Sequence, residues 1–131
     1  PSAKPQLRAE PIAGPFEVGG RLVTPLPYWH GPARVLGFRI GGVAYCPDCS
    51  AIPEETWPLL AGLDVLVLDA LRRRPHPTHF NLEQALAVAA RIGARRTLLT
   101  HIAHELGHAA TSAALPPGVE LAYDGLVCEV A

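Results

Sequence analysis

A chain of 131 residues is one domain's worth, long enough to bury a real core and too short for two. A hydrophobic fraction of 49% against 18% charged residues excludes a disordered tail, and a formal net charge of −1 gives no electrostatic case for a nucleic-acid or membrane partner. The longest apolar stretches, Val65 to Leu68 and Leu86 to Ala90, are far too short to span a bilayer, and nothing at the start resembles a signal peptide, so a cytoplasmic protein is the expectation. Three cysteines, Cys46, Cys49 and Cys128, are too few and odd in number for a disulfide framework, which suits a reducing compartment.

In chain order, prolines and glycines crowd the first 32 residues, where loop or irregular strand is expected. Arg21 to Leu26 and Val35 to Ile40 read as two strands joined through a Pro, Trp, His and Gly corner, and Gly41-Gly42 turns into a third, Val43 to Cys46. Pro53 to Leu60 reads as a short helix opened by proline with acidic residues in its first turn. Val65 to Leu68, bounded by Asp64 and Asp69, is a continuous apolar run of the kind found in a strand buried on both faces. The triplet Arg72-Arg73-Arg74 is taken as a solvated loop. Leu82, Ala85, Leu86, Ala89 and Ala90 fall on one face of a helix over Leu82 to Ile92, with Gly93 as its stop signal. Thr97 to Thr100 is a further buried strand that delivers His101 at its C-terminal end, where sites form in α/β layers. A helix over His104 to Leu115, stopped by Pro116-Pro117-Gly118, and a hairpin of Val119 to Tyr123 with Leu126 to Val130, turned by Asp124-Gly125, complete the pattern. Strands first, then alternating helix and strand, make this an α/β chain with a sheet covered by helices.

Six histidines, at 30, 76, 79, 101, 104 and 108, sit largely at strand ends or in loops. Imidazole nitrogen and carboxylate oxygen together suit zinc or a comparable divalent ion, which lowers the pKa of a bound water towards neutrality. His104-Glu105-Leu106-Gly107-His108 fits H-E-x-x-H, which on a helix sets two imidazoles one turn apart beside a glutamate base, as in a zinc peptidase. A third ligand would have to come from Glu120, Asp124 or Glu129, and the competing reading is an exposed face of a short helix. His76 reads as a loop residue. Cys46-Pro47-Asp48-Cys49 closes a strand, whereas a thioredoxin-like pair needs its first cysteine at a helix N-terminus, so the cysteines are read as neighbours of Asp48 that can still capture metal.

Four segments considered together carry a resemblance: Pro25-Leu26-Pro27-Tyr28-Trp29-His30-Gly31; Leu36 to Ile40 running into Ala44-Tyr45-Cys46-Pro47-Asp48; Asp69-Ala70-Leu71 followed by His76-Pro77-Thr78-His79-Phe80; and Leu99-Thr100-His101-Ile102-Ala103-His104. With Leu115 to Val119 and Tyr123-Asp124-Gly125, they resemble the C-terminal half of metallo-β-lactamase-fold phosphodiesterases, nearest to the PhnP-like cyclic phosphodiesterases, from about Pro15 onwards. The resemblance implies an α/β fold consisting of half of the αββα sandwich, a β-sheet with covering helices. It gives His30 to the first metal, Asp48 to the bridge between both, and His101 to the second. His79, at a spacing from His101 shared with the related tRNA-processing hydrolases, would face the phosphate and assist the leaving oxygen. The ions implied are two, Zn2+ or Mn2+, and the substrate a small or cyclic phosphodiester. Asp69 would orient a ligand from behind, and His104 matches a ligand of a separate structural zinc whose N-terminal cysteine cluster is not in these residues.

The family's first metal motif, H-x-H-x-D-H, is not in the 131 residues. Counting the carried-over ligands, each metal keeps two protein ligands, short of the three usual for catalytic zinc. The expectation is one partial domain over residues 1–131, inactive by itself, that pairs with a missing N-terminal half or self-associates. The alternatives are a zincin-type peptidase on His104, Glu105 and His108, and a non-catalytic folding or interaction module.

Overall fold

In the computed structural model, which describes residues 4–130, the chain forms a seven-stranded sheet whose spatial order follows the sequence. Strands β1 (Phe16–Val18), β2 (Arg21–His30), β3 (Ala33–Ile40) and β4 (Val43–Tyr45) are antiparallel neighbours, while β5 (Val65–Asp69), β6 (Arg96–Thr100) and β7 (Val119–Leu121) add in parallel to β4. Two hairpins make the meander tight. His30 pairs with Ala33 across Gly31 (φ 60°), and Ile40 pairs with Val43 across Gly41 (φ 55°), both in the left-handed region that glycine tolerates. Two antiparallel steps return β4 to the direction of β2, so β2, β4, β5 and β6 all end at the same edge of the sheet. That edge positions the site.

The register assigns the two faces. Leu26, Ala44, Leu66, Leu68, Leu99 and Leu121 lie on one face, and each is 0–2% exposed. Helix α1 (Leu82–Ile92) packs Leu82 and Ala85 into this same core. The helix forms where its apolar periodicity places it, begun by a capping box between Asn81 and Gln84 and ended by Gly93 at φ 67°. The opposite face carries Leu36, Ile40 and Tyr45 at 39, 43 and 55% exposure, beside half-buried Phe38, Val43 and Val67. No helix among the described residues is long and apolar enough to cross a membrane.

Three local expectations are corrected. The segment after Pro53 is a turn leading into one 3-10 turn, Trp57–Leu60, with no acidic residue in its first turn; Thr56, buried, donates instead to Pro27 O at 2.5 Å and pins the segment to β2. The helix expected from His104 begins only at His108 (α2, His108–Ser112), because Gly107 breaks the run and Glu105 is drawn to Arg74 at 2.8 Å. The final hairpin is absent: β7 pairs only with β6, and Leu126 to Val130 form no strand. There Arg96, paired with Glu120, also reaches Cys128 Sγ at 3.2 Å, so the tail is held by side chains in place of a ladder.

Gly37, in β3, is a close-approach position: a Cβ there would stand 2.7 Å from Tyr28 Cε1 and would also collide with Tyr45 O. Neither neighbour is the free end of a flexible chain. Gly37→Ala is expected to lower unfolding free energy by about 1–3 kcal/mol, as overpacked sites do, measured by urea denaturation followed by circular dichroism.

Candidate metal-binding site

The shared sheet edge gathers side chains from four strand ends. His30 is the last residue of β2, Asp48 lies three residues beyond β4, Asp69 ends β5 with His79 in the loop that follows, and His101 comes directly after β6. His101 has φ 57°, a left-handed conformation that costs a non-glycine residue on the order of 1 kcal/mol. Ligand atoms of His30, Asp48 and His79 all lie within 4.8 Å of one another. His101 Nδ1 stands 3.7 Å from Asp48 Oδ1, and the His79 ring centroid is 4.7 Å from that of His30 and 4.6 Å from that of His101. The structure therefore brings His30, Asp48, His79 and His101 together, with His79 rather than His101 in the tightest group.

Hydrogen bonds fix which ring nitrogens are free. Thr78 O can only accept, so His30 Nδ1 carries the proton that it donates at 2.7 Å. Gly31 permits this approach, since a Cβ there would meet Thr78 Cγ2 at 2.7 Å. His79 Nδ1 donates in the same way to Asp69 Oδ2 at 3.1 Å. Both rings are left with the Nε2 lone pair facing outward from their anchors, the form a metal requires. Asp69 is fully buried, and its other oxygen accepts from Cys49 N at 2.8 Å. Burial pushes its carboxyl above the usual carboxylate range, opposed by the Cys49 amide and His79.

Two contributors escaped the sequence reading. Tyr28, 2% exposed, donates its hydroxyl to Pro47 O at 2.7 Å and so holds the peptide that leads into Asp48; a tyrosine in an apolar strand gives no sign of this. His76, taken as a loop residue, has its ring centroid 5.1 Å from that of His79. The cysteines contribute no ligand to this group. Cys46 and Cys49 are buried, and burial, with the Asp69 charge adding to it, pushes the Cys46 thiol up to about 12 and the Cys49 thiol higher still. Neither offers a thiolate near neutral pH. The H-E-x-x-H residues do not form a zincin site: His104 and Glu105 precede the helix, Glu105 pairs with Arg74, and His108 packs edge-on to Tyr123 at 6.2 Å.

Two imidazoles with prepared lone pairs, a third imidazole and a carboxylate match the nitrogen and oxygen preferences of a borderline divalent ion. The donor set fits a metal.

Residues 1–102 match the family described as β-lactamase superfamily domain. Among solved structures, a diphosphatase of the PhnP family superposes with a TM-score of 0.89 at 42% identity, over 90% of this chain and 47% of that one. The metallo-β-lactamase-fold protein YhfI of Bacillus subtilis gives 0.72 at 24% identity, over 91% and 54% respectively. An octanoyltransferase of Porphyromonas gingivalis is 35% identical over 114 residues, which are 86% of this chain and 23% of that protein. The chain thus spans about half the length of these solved structures and a smaller share of the octanoyltransferase. Its sheet and covering helix are part of a metallo-β-lactamase fold.

The Asp69 anchor makes a sharp expectation. In Asp69→Asn, Oδ1 still accepts from Cys49, but the amide NH2 then faces His79 Nδ1 and moves the ring proton to Nε2. His79 should then appear as the Nε2–H form in long-range proton–nitrogen correlation of its imidazole, with a cooperative melt and zinc binding retained.

Proposed function

This chain belongs to the β-lactamase superfamily, and from that premise we propose that it carries part of the site of a metal-dependent hydrolase acting on a small phosphodiester or phosphoric anhydride. The observation that carries the proposal is the clustering of His30, His79 and His101 around the single half-exposed carboxylate of Asp48, with Arg72 near the rim. A nitrogen-rich edge with one exposed acid favours an anionic substrate once a cation is added. The PhnP-family diphosphatase, at 42% identity, is the relative that supports phosphorus chemistry.

His30, Asp48 and His101 would hold zinc or manganese, Asp48 having an oxygen to offer each of two ions. A divalent ion held there supplies Lewis acidity towards an anionic phosphoryl group. His79 is assigned the proton step: its Nδ1–H is held by buried Asp69, which fixes the ring so that Nε2 is the nitrogen that would relay a proton to a leaving oxygen. Phe80, next in the chain to His79, and Ala70, next to Asp69, are 5% and 0% exposed, so both residues of the Asp69–His79 pair adjoin the buried core.

Two protein ligands per ion fall short of a catalytic set. We therefore assign the remaining ligands to polypeptide outside these 131 residues, packed over the face that bears Leu36, Ile40 and Tyr45. That assignment is supported by the exposure of this face and by solved relatives about twice as long. The whole protein should carry H-x-H-x-D-H ahead of Pro1; a reading frame without it overturns the catalytic claim.

Two measurements test the roles. In the 131-residue chain, His30→Ala with Asp48→Ala should abolish stoichiometric zinc binding, and His79→Gln should retain it, read by calorimetric titration; unchanged zinc in the double variant would instead favour a non-catalytic module. In the whole protein loaded with zinc or manganese, His79→Gln should lower kcat on bis(p-nitrophenyl) phosphate by about 10²–10⁴-fold.

A further inference from the structure

His76 stands beside the four clustered residues but is wired in the opposite sense. The Thr78 backbone N–H, which can only donate, points to His76 Nδ1 at 3.3 Å, and the Thr78 hydroxyl lies 3.2 Å from the same atom. Nδ1 is therefore the acceptor and the ring proton sits on Nε2. His30 and His79 present lone pairs, whereas His76 presents an N–H. A lone pair suits a metal; an N–H suits an anionic oxygen.

Accepting at Nδ1 and bearing its proton on Nε2, the ring is neutral, and Arg72 adds positive charge beside it. Arg72 is held in place on the same loop, donating through Nε to Arg74 O at 3.3 Å and through Nη2 to Pro75 O at 3.0 Å. A pre-positioned guanidinium beside a neutral N–H donor, next to the proposed proton donor His79, is an arrangement for a further negative group on the substrate. Pro75 and Pro77 on either side of His76 restrict the loop and reduce the cost of holding it.

We propose that His76 and Arg72 form a subsite for a second phosphoryl group, so that the site prefers a diphosphate to a phosphodiester with an uncharged leaving group. This rests on the phosphorus-directed reading of the same site and adds its substrate class. The metal-ligating residues are not part of the subsite.

Two measurements on the 131-residue chain separate the subsite from the underlying reading. In the metal-free chain, long-range proton–nitrogen correlation of the imidazoles should find His76 as the Nε2–H form and His30 and His79 as Nδ1–H forms. An Nδ1–H form of His76 overturns the proposal whatever the metal does. Titration with inorganic pyrophosphate and with inorganic phosphate, with and without Zn2+, should show pyrophosphate preferred. His76→Ala and Arg72→Gln should each weaken pyrophosphate about tenfold and phosphate much less, as loss of one charge-assisted hydrogen bond predicts. Equal loss for both anions, or no loss, rejects the subsite. Failure of zinc to bind the wild-type chain would count against the metal reading alone, since the tautomer and the metal-free pyrophosphate preference are read without it.

Discussion

The fully buried carboxylate of Asp69 ties three parts of the site edge into one unit. It ends β5, accepts from the Cys49 amide just beyond Asp48, and accepts from His79 in the following loop. A buried charge with no partner is strongly destabilising, so each of its oxygens demands a donor, and the two donors available belong to the two loops that carry Asp48 and His79. Backbone bonds extend the same unit: Phe80 N donates to Cys49 O at 2.8 Å, Leu71 N to Phe80 O at 3.0 Å, Ala70 N to Thr100 O at 3.0 Å and Ala103 N to Leu71 O at 2.8 Å. The strand ends can thus present side chains to a common point because their loops are laced to one another beneath it.

Thr78 shows how one residue sets two tautomers of opposite sense. Its carbonyl takes the His30 Nδ1 proton while its amide gives one to His76 Nδ1. Each residue carries one backbone donor and one backbone acceptor, and at Thr78 both are spent on imidazoles. Because neutral imidazole must also be donor on one side and acceptor on the other, the two contacts fix the free nitrogens as lone pair at His30 and N–H at His76. Chemically distinct roles for His30 and His76 follow from the opposite polarity of the two backbone groups of Thr78.

Much of this architecture was legible because period and punctuation agree. The Leu82–Ile92 helix has a capping residue, an apolar stripe and a terminal glycine, and its bounds follow from them. The apolar run from Val65 has no polar alternation, as befits a parallel strand between two others, with Val67 on its second face only half-buried. Where the reading failed, tertiary partners outweighed local signals: the H-E-x-x-H segment has helical spacing, but Gly107 and the Arg74–Glu105 pair hold its first half in turns. The positions His30, Asp48, His79 and His101 were accessible through the order of their motifs, since each follows a strand. His76 and Tyr28 were not, because their roles depend on contacts with Thr78 and Pro47 that no periodicity encodes.

The ligand count and the exposed sheet face lead to the same complement by independent routes. Coordination is a local argument about donor number, whereas Leu36, Ile40 and Tyr45 raise a question of apolar area on a face that α1 does not touch. Their geometry joins them. Val67 pairs with Tyr45, and two residues further along β5 stands Asp69, at the strand ends where His101 and Asp48 gather. A second layer laid on the row of Phe38, Tyr45 and Val67 would therefore reach the same edge with its own strand ends, and hydrophobic burial would supply the energy that holds its ligands in register with these. A site assembled between two layers has its first requirement in the apolar faces, since imidazoles and a carboxylate can meet a common ion only after the surfaces that carry them have closed.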